Sequence, residues 1–195
     1  MARPIEFDRT KALEAAMKQF WARGYSASSL ADLLEAMGLA RSSFYASFGT
    51  KRKLFMECLE LFGERTLAII TKDTEHLAPS ALPRAFFEAT LLNVSQRKAR
   101  QGCMMVNSVL ELADVDPELN QLAAKKLAAI ENAFALAFEQ AQEQGDLATT
   151  LNPKELAKLV MTINLGLRVQ SRQKQSRETL ESIIDNSLSM LGLAA

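Results

Sequence analysis

The sequence predicts an all-α protein. Three observations predict it: apolar residues recur at helical spacing almost from end to end, those runs are bounded by capping residues and C′ glycines, and only 8 Gly and 5 Pro occur in a 195-residue chain that is 48% hydrophobic. Such a chain can bury a sizeable core in one or two small domains.

The first helix is read from Leu13, Ala16, Met17, Phe20 and Trp21, and Gly24 ends it as a C′ glycine does. Ser28 and Ser29 precede Leu30, Leu33, Leu34 and Met37, with Asp32 placed to complete a capping box on Ser29, which marks a short second helix. Gly38 permits the left-handed backbone that reverses the chain, and Leu39 turns inward. A third short helix, from about Ala40 to Phe48, anchors itself through Phe44 and Phe48, four residues apart on its buried side. Helix 4 is expected from Lys51 to about Glu75, burying Leu54, Phe55, Cys58, Leu59, Phe62 and Ile69. "LAPSALP" then breaks the chain, Phe86, Phe87, Leu91 and Val94 mark a fifth helix, and "RKARQG" interrupts it before Met105, Val109 and Leu110 begin a sixth. Asp116 and Pro117 open a long seventh helix that Gly145 closes, and Asn152 and Pro153 open the eighth. The ninth carries Leu180, Ile183, Ile184, Leu188 and Leu191. About nine helices are expected in all.

Formal net charge is zero but unevenly distributed. Residues 1 to 53 hold nine Lys and Arg against five acids, so this head carries +4 and the remaining chain −4. A basic head on an acidic body suits contact with a polyanion, although an imbalance of this size also arises as ordinary surface variation. Within the head, "MGLARSSFYASFGTK" leaves Arg41, Ser42, Ser43, Tyr45 and Ser47 outward once Phe44 and Phe48 are buried. Two helices joined by a tight Gly turn, the second short and presenting small polar groups with a cation, form a helix-turn-helix. The ~12 Å major groove admits one such helix. Arg41 is placed to donate to guanine, and Ser42, Ser43 and Tyr45 to phosphates or base edges. Lys51, in the first turn of helix 4, joins a cation to free backbone N–H groups that favour phosphate. Taken singly, each of these residues also fits a capping or solvated surface role.

The run "GYSASSLADLLEAMGLARSSFYASFGTKRKLF", residues 24 to 55, resembles the TetR family of bacterial transcriptional regulators: Gly-aromatic, two hydroxyls, an apolar helix, Gly, a Tyr-x-x-Phe helix and Lys-x-x-Leu. The resemblance implies an N-terminal helix-turn-helix three-helix domain, here 1–53, that binds DNA, and a C-terminal all-helical effector and dimerisation domain, 54–195. By the same resemblance Ser28 and Ser29 match the hydroxyls opening helix 2, Tyr45 and Lys51 the phosphate contacts, and Arg41 and Ser43 base-facing positions. Ala40 stands in place of a usual Ser, Ser42 of a frequent Gly and Ser47 of a frequent His, departures that bear on the operator sequence rather than on groove docking. A repressor is the family default.

The last two helices carry more apolar face than a small domain needs. Leu159, Ile163, Leu167, Ile183, Ile184, Leu188 and Leu191 are candidates for a two-fold seam, which the resemblance implies is a four-helix bundle; the other reading packs both stripes inside one subunit. A homodimer of this kind reads a palindromic double-stranded DNA operator with half-sites ~34–36 Å apart or somewhat more. For a small apolar or electrophilic effector, Phe86, Phe87, Met104, Met105, Phe134, Phe138 and Met161 are candidate pocket walls or plain core, and Asn164 and Arg168 are polar groups of the pocket or of the seam. Cys103 follows Gly102 at the expected start of a helix, near Arg97, Lys98 and Arg100, all of which favour a thiolate. Its Gly-Cys also resembles a subgroup of TetR regulators, some of which sense electrophiles through that cysteine; the alternative is a small inert core residue. Cys58, mid-helix on an apolar stripe, reads as inert.

No basic-apolar leader and no run of ~20 apolar residues is present, so a cytoplasmic protein with no membrane partner is expected. The only His is His76, and no nucleophile motif, phosphate loop or metal spacing accompanies it, so no enzyme, metal or cofactor is expected. The competing class is a helical protein-interaction adaptor that no longer reads DNA.

Overall fold

The computed structural model describes residues 7–72, 74 and 76–193. Among these, α1 spans Arg9–Arg23, α2 Leu30–Met37, α3 Arg41–Phe48, α4 Lys51–Thr71, α5 Leu82–Phe87, α6 Gln96–Arg100, α7 Met104–Leu112, α8 Pro117–Gln144, α9 Pro153–Arg172 and α10 Arg177–Met190. A 3-10 turn, Pro79–Ala81, leads into α5, and a π turn, Glu88–Leu92, follows it. The fold is all-α, an N-terminal helix-turn-helix domain joined to a C-terminal helical domain.

Local chemistry explains most boundaries. The Asp8 carboxylate accepts from Lys11 N at 3.1 Å, Thr50 Oγ1 from Lys53 N at 3.1 Å and Asp116 Oδ1 from Leu119 N at 3.1 Å, each satisfying an amide that a helix start leaves open. Three elements depart from the sequence reading. Helix 4 ends at Thr71 rather than near Glu75, which lies outside the described residues. The first four residues of "RKARQG" lie in α6, capped by Ser95, instead of only interrupting the chain. The expected fifth helix is a short α-helix that loosens into the π turn, so Val94 lies in a bend beyond it.

Two apolar clusters hold the molecule together. The N-terminal one joins Phe20, Leu33, Phe44, Phe48, Leu54 and Phe55 to Met104 and Leu112 of α7 and Leu119 of α8. The other packs Phe86, Phe87, Met105, Phe134 and Phe138 against Val160, Leu167, Ile184 and Leu188. At ~1.5–3 kcal/mol for each large side chain removed from water, these clusters are the dominant favourable contribution to the fold. Because α7 contributes to both, it ties the head to the body.

Candidate DNA interface and interior cavity

The reading head is built from caps and two phenylalanines. Ser29 Oγ accepts from Asp32 N at 3.1 Å while Asp32 Oδ2 accepts from Ser29 N at 3.0 Å, a reciprocal capping box that fixes the start of α2. Asp32 also pairs with Arg23 at 3.3 Å, and the Ser29 hydrogen bonds, with this charge beside them, keep its carboxyl below the usual carboxylate range. Gly38, at φ 64° and ψ 34°, makes the turn, where Leu39 N donates to Leu34 O at 3.0 Å. Phe44 and Phe48 of α3 are buried, their ring centroids 6.1 Å apart, and the Arg9 guanidinium lies 4.5 Å over Phe48.

Burial of that side leaves Arg41, Ser42 and Tyr45 exposed and Ser43 and Ser47 half-buried. Tyr45 is 50% exposed, its ring braced edge-on against Phe44. Arg41 forms no salt bridge among the described residues. Ala40 leaves the start of α3 without a side-chain cap, the local consequence of losing a hydroxyl there. Ser28 differs from expectation: it is fully buried, and its hydroxyl donates to Gly24 O at 2.6 Å, so it holds the turn before α2 and faces no solvent. Lys51 is half-buried, with its ammonium 4.5 Å over the Tyr25 ring, and burial lowers its pKa. Its side chain is folded onto the head in this structure.

Beneath the head lies a cavity of about 180 Å³. Met17 and Trp21 of α1 form one wall, Phe62, Thr66 and Ile69 of α4 another, and Phe86, Thr90, Leu127 and Ile130 close the sides. Of the sequence candidates, Phe86, Cys103, Met105, Asn164 and Arg168 line it. Phe87, Met104, Phe134, Phe138 and Met161 do not: all are buried core, Met104 within the N-terminal cluster and the other four within the C-terminal one. Trp21 and Thr90 were not anticipated. Trp21 Nε1 donates to Gly102 O at 3.1 Å, with Lys98 Nζ 5.6 Å over its ring.

Cys103, 6% exposed, sits at the N-cap of α7 without capping it. Arg97 and Arg100 are exposed, and the buried cation that lines the same cavity as Cys103 is Arg168, from α9. Arg168 is 5% exposed; its Nε donates to Asn164 Oδ1 at 3.0 Å and its terminal nitrogens to Thr90 O at 2.9 Å and Thr90 Oγ1 at 2.6 Å. Desolvation pushes its pKa down. Cys58 lies in the N-terminal cluster instead, and burial pushes its thiol pKa up.

Several polar contacts cross from body to head. Glu111, near the end of α7, accepts from Tyr25 N at 3.0 Å and Ser26 N at 2.7 Å, clasping the turn that precedes α2. Arg52 bridges to Asp116 at 2.7 Å, Arg9 to Glu57 at 2.7 Å, and Glu14 pairs with Arg65. The Trp21–Gly102 hydrogen bond crosses as well. On α9 and α10, Leu167, Ile184 and Leu188 are buried inside the subunit, which removes them as seam residues; Leu159, Leu165, Val169 and Met190 are exposed, and Ile163, Ile183 and Leu191 half-buried. Among the described residues, no helix is long and apolar enough to cross a membrane, and no cluster of three His, Cys, Asp or Glu is placed to hold a metal.

Comparison with known proteins bears on what this head and cavity belong to. Residues 12–58 match the family model described as bacterial regulatory proteins, tetR family, and residues 81–186 the model for a Tetracyclin repressor-like C-terminal domain. The chain is 30% identical over 195 residues to the uncharacterized HTH-type transcriptional regulator YezE of Bacillus subtilis, covering 98% of this chain and 100% of that one. It is 31% identical over 189 residues to the HTH-type transcriptional repressor ComR of Escherichia coli, covering 95% and 90%. Among solved structures, a cysteine-substituted TetR family regulator CifR complexed with 26-bp operator DNA superposes with a TM-score of 0.76 at 29% identity, covering 96% and 98%. These domains and relatives are transcription regulators, not enzymes. With both halves of the chain matched, and with a head whose short α3 is exposed on its polar side, this protein belongs to the TetR family of DNA-binding transcriptional regulators.

Proposed function

We propose that the protein is a repressor that binds a palindromic operator as a homodimer and leaves it when the cavity is filled or Cys103 is modified. Arg41 and Ser43 read bases, and Ser42, Tyr45, Ser47 and the start of α4 at Lys51 contact or approach phosphates. Ser29 supports them by setting α2. The CifR complex with operator DNA supports groove docking by a head of this kind.

The dimer forms through α9 and α10. Leu159, Gly166 and Val169 share one exposed face of α9 with Leu165 at its edge, and Met190 extends the apolar surface on α10, with Ile163, Ile183 and Leu191 beside it. The proposed domain division, 1–53 and 54–195, falls in the first turn of α4.

The observation that carries the regulatory reading is that Trp21, on the first helix of the head, walls the cavity and donates to Gly102 O beside Cys103. A molecule in the cavity, or an adduct on Cys103, meets the head and α7 at once. Such an effector shifts the operator equilibrium only by its differential affinity for the two states, and tenfold weaker DNA binding requires ~1.4 kcal/mol of that difference. The test is operator binding by purified protein with and without a mild thiol oxidant, for wild type and Cys103→Ser. Release lost in Cys103→Ser assigns sensing to the thiol. Equal release in both refutes a role for Cys103, and no release in either makes Cys103 core and leaves the cavity as the input.

A further inference from the structure

Charge on the cavity wall is one-sided. Arg65, Lys98 and Arg168 line it and no Asp or Glu does. Arg65 is paired with Glu14, and Lys98 lies against Trp21, but Arg168 has only neutral hydrogen-bond partners: Asn164 and the carbonyl and hydroxyl of Thr90. A guanidinium carries five N–H donors and stays charged in proteins, so three bonds leave two donors unspent. Cys103 lines the same cavity. A cation this deeply buried without a counter-charge is costly, and a carboxylate in the cavity supplies both the missing charge and acceptors for the donors left on Nη1 and Nη2.

Thr90 is held in position for this. It lies in the π turn, a distortion that recurs at functional sites, and its hydroxyl donates to Phe86 O at 2.7 Å while accepting from Arg168. Beside Arg65, Thr66, Lys98, Cys103 and Asn164, the remaining wall is apolar or aromatic, with Trp21, Phe62, Phe86 and Ile130 lining the space. At about 180 Å³ the space exceeds the ~150 Å³ cavity known to admit benzene.

We infer that this cavity is a site for a small organic monocarboxylate of about benzoate size, its carboxylate pairing with Arg168 and its apolar body lying against Trp21 and Phe86. The inference deepens the effector role proposed above and rests on that reading only for its regulatory consequence.

Trp21 is the only tryptophan in the chain, so its fluorescence reports occupancy directly and without DNA. Benzoate, cyclohexanecarboxylate and hexanoate are titrated against the full-length protein, each beside its neutral amide. Expected is saturable perturbation of Trp21 emission by at least one carboxylate, about tenfold or more tighter than its amide, with the preference lost in Arg168→Met and kept in Arg168→Lys. Should Arg168→Met fail to fold, Thr90→Val, which removes one of the hydroxyl-anchored contacts, is expected to weaken the carboxylate preference while sparing the amides. The site is refuted if no carboxylate perturbs Trp21 up to about 10 mM, if the amides bind as tightly, or if the preference survives in Arg168→Met. Binding that leaves operator affinity unchanged retires the effector reading and keeps the carboxylate site.

Discussion

Replacing Glu111 by Ala tests how the body grips the head. The carboxylate takes the amides of Tyr25 and Ser26 at 3.0 and 2.7 Å, and these precede the capping box of α2. Hydrogen bonds to a charged group contribute ~1.5–3 kcal/mol each when buried. Tyr25 is half-buried and Ser26 exposed, so water recovers part of that, and the pair amounts to about 1–3 kcal/mol. In a domain of this size, each kcal/mol moves Tm by ~2–4 °C, giving a fall of about 2–12 °C by circular dichroism. Gly24→Ala strikes the same contact from the other side: at φ 87° a Cβ is strained, and it would lie 2.5 Å from the Glu111 carboxylate. The two changes are therefore expected to be non-additive in a double-mutant cycle, the second costing less after the first. Operator release by thiol oxidant, measured by fluorescence anisotropy, should also weaken in Glu111→Ala. An unchanged Tm together with unchanged release refutes the role of Glu111 as the link.

Tyr45→Phe removes one phosphate donor and should weaken binding to all sequences by about two- to tenfold, whereas Arg41→Ala should relax preference at one base position, worth ~1–3 kcal/mol there; selection from a random DNA pool that shows the reverse pattern overturns the assignment. Val169→Glu places a charge in the exposed α9 face and should yield a monomer by sedimentation with little operator affinity; a variant that remains dimeric moves the seam elsewhere. Asp116, lowered from its ordinary value of 3.8 by Arg52 and the α8 amides, stabilises the fold above that value and loses its effect as pH falls through its depressed pKa. The Tm difference between wild type and Asp116→Asn should thus persist from pH 7 to about 4 and close below; closure already at pH 5 or above refutes the Arg52–Asp116 tie as its source.

What was legible in the sequence follows from the range of the interactions. Ser29 with Asp32, Thr50, Asp116 and Asn152 announce helix starts because a cap bonds within three residues, and Gly38 and Gly145 announce ends because the left-handed backbone is local. Phe44 and Phe48 carry enough of a stripe to orient α3. The five-residue α6 carries no such stripe, and the π turn has no residue preference strong enough to show. The side of a longer helix that meets solvent depends on neighbours far away in the chain: Leu167 and Leu159 belong to one apolar pattern, yet one packs into the subunit core and the other remains 50% exposed. Glu111 gave no signal at all, since its partners are main-chain amides 85 and 86 residues distant.

The arrangement around α7 offers the proposed effector response a route from the cavity to the DNA-reading head. Its nine residues span about 13 Å, with Gly102 and Cys103 at one end beside Trp21 and Arg168, and Glu111 at the other holding the turn before α2. Between the ends, Met104 and Leu112 are packed into the head's own core while Met105 and Val106 are packed into the body's. A well-packed helix of this length shifts as a unit, because close-packed cores adopt discrete arrangements rather than deforming continuously. On the proposed reading, displacement of one end by a ligand against Arg168 or an adduct on Cys103 would be carried to Tyr25 and Ser26 at the other, and with them to the position of α2 and α3. Linkage makes the effect mutual: an operator that holds α7 in one position lowers the cavity's affinity for the ligand by the same factor by which the ligand lowers affinity for the operator.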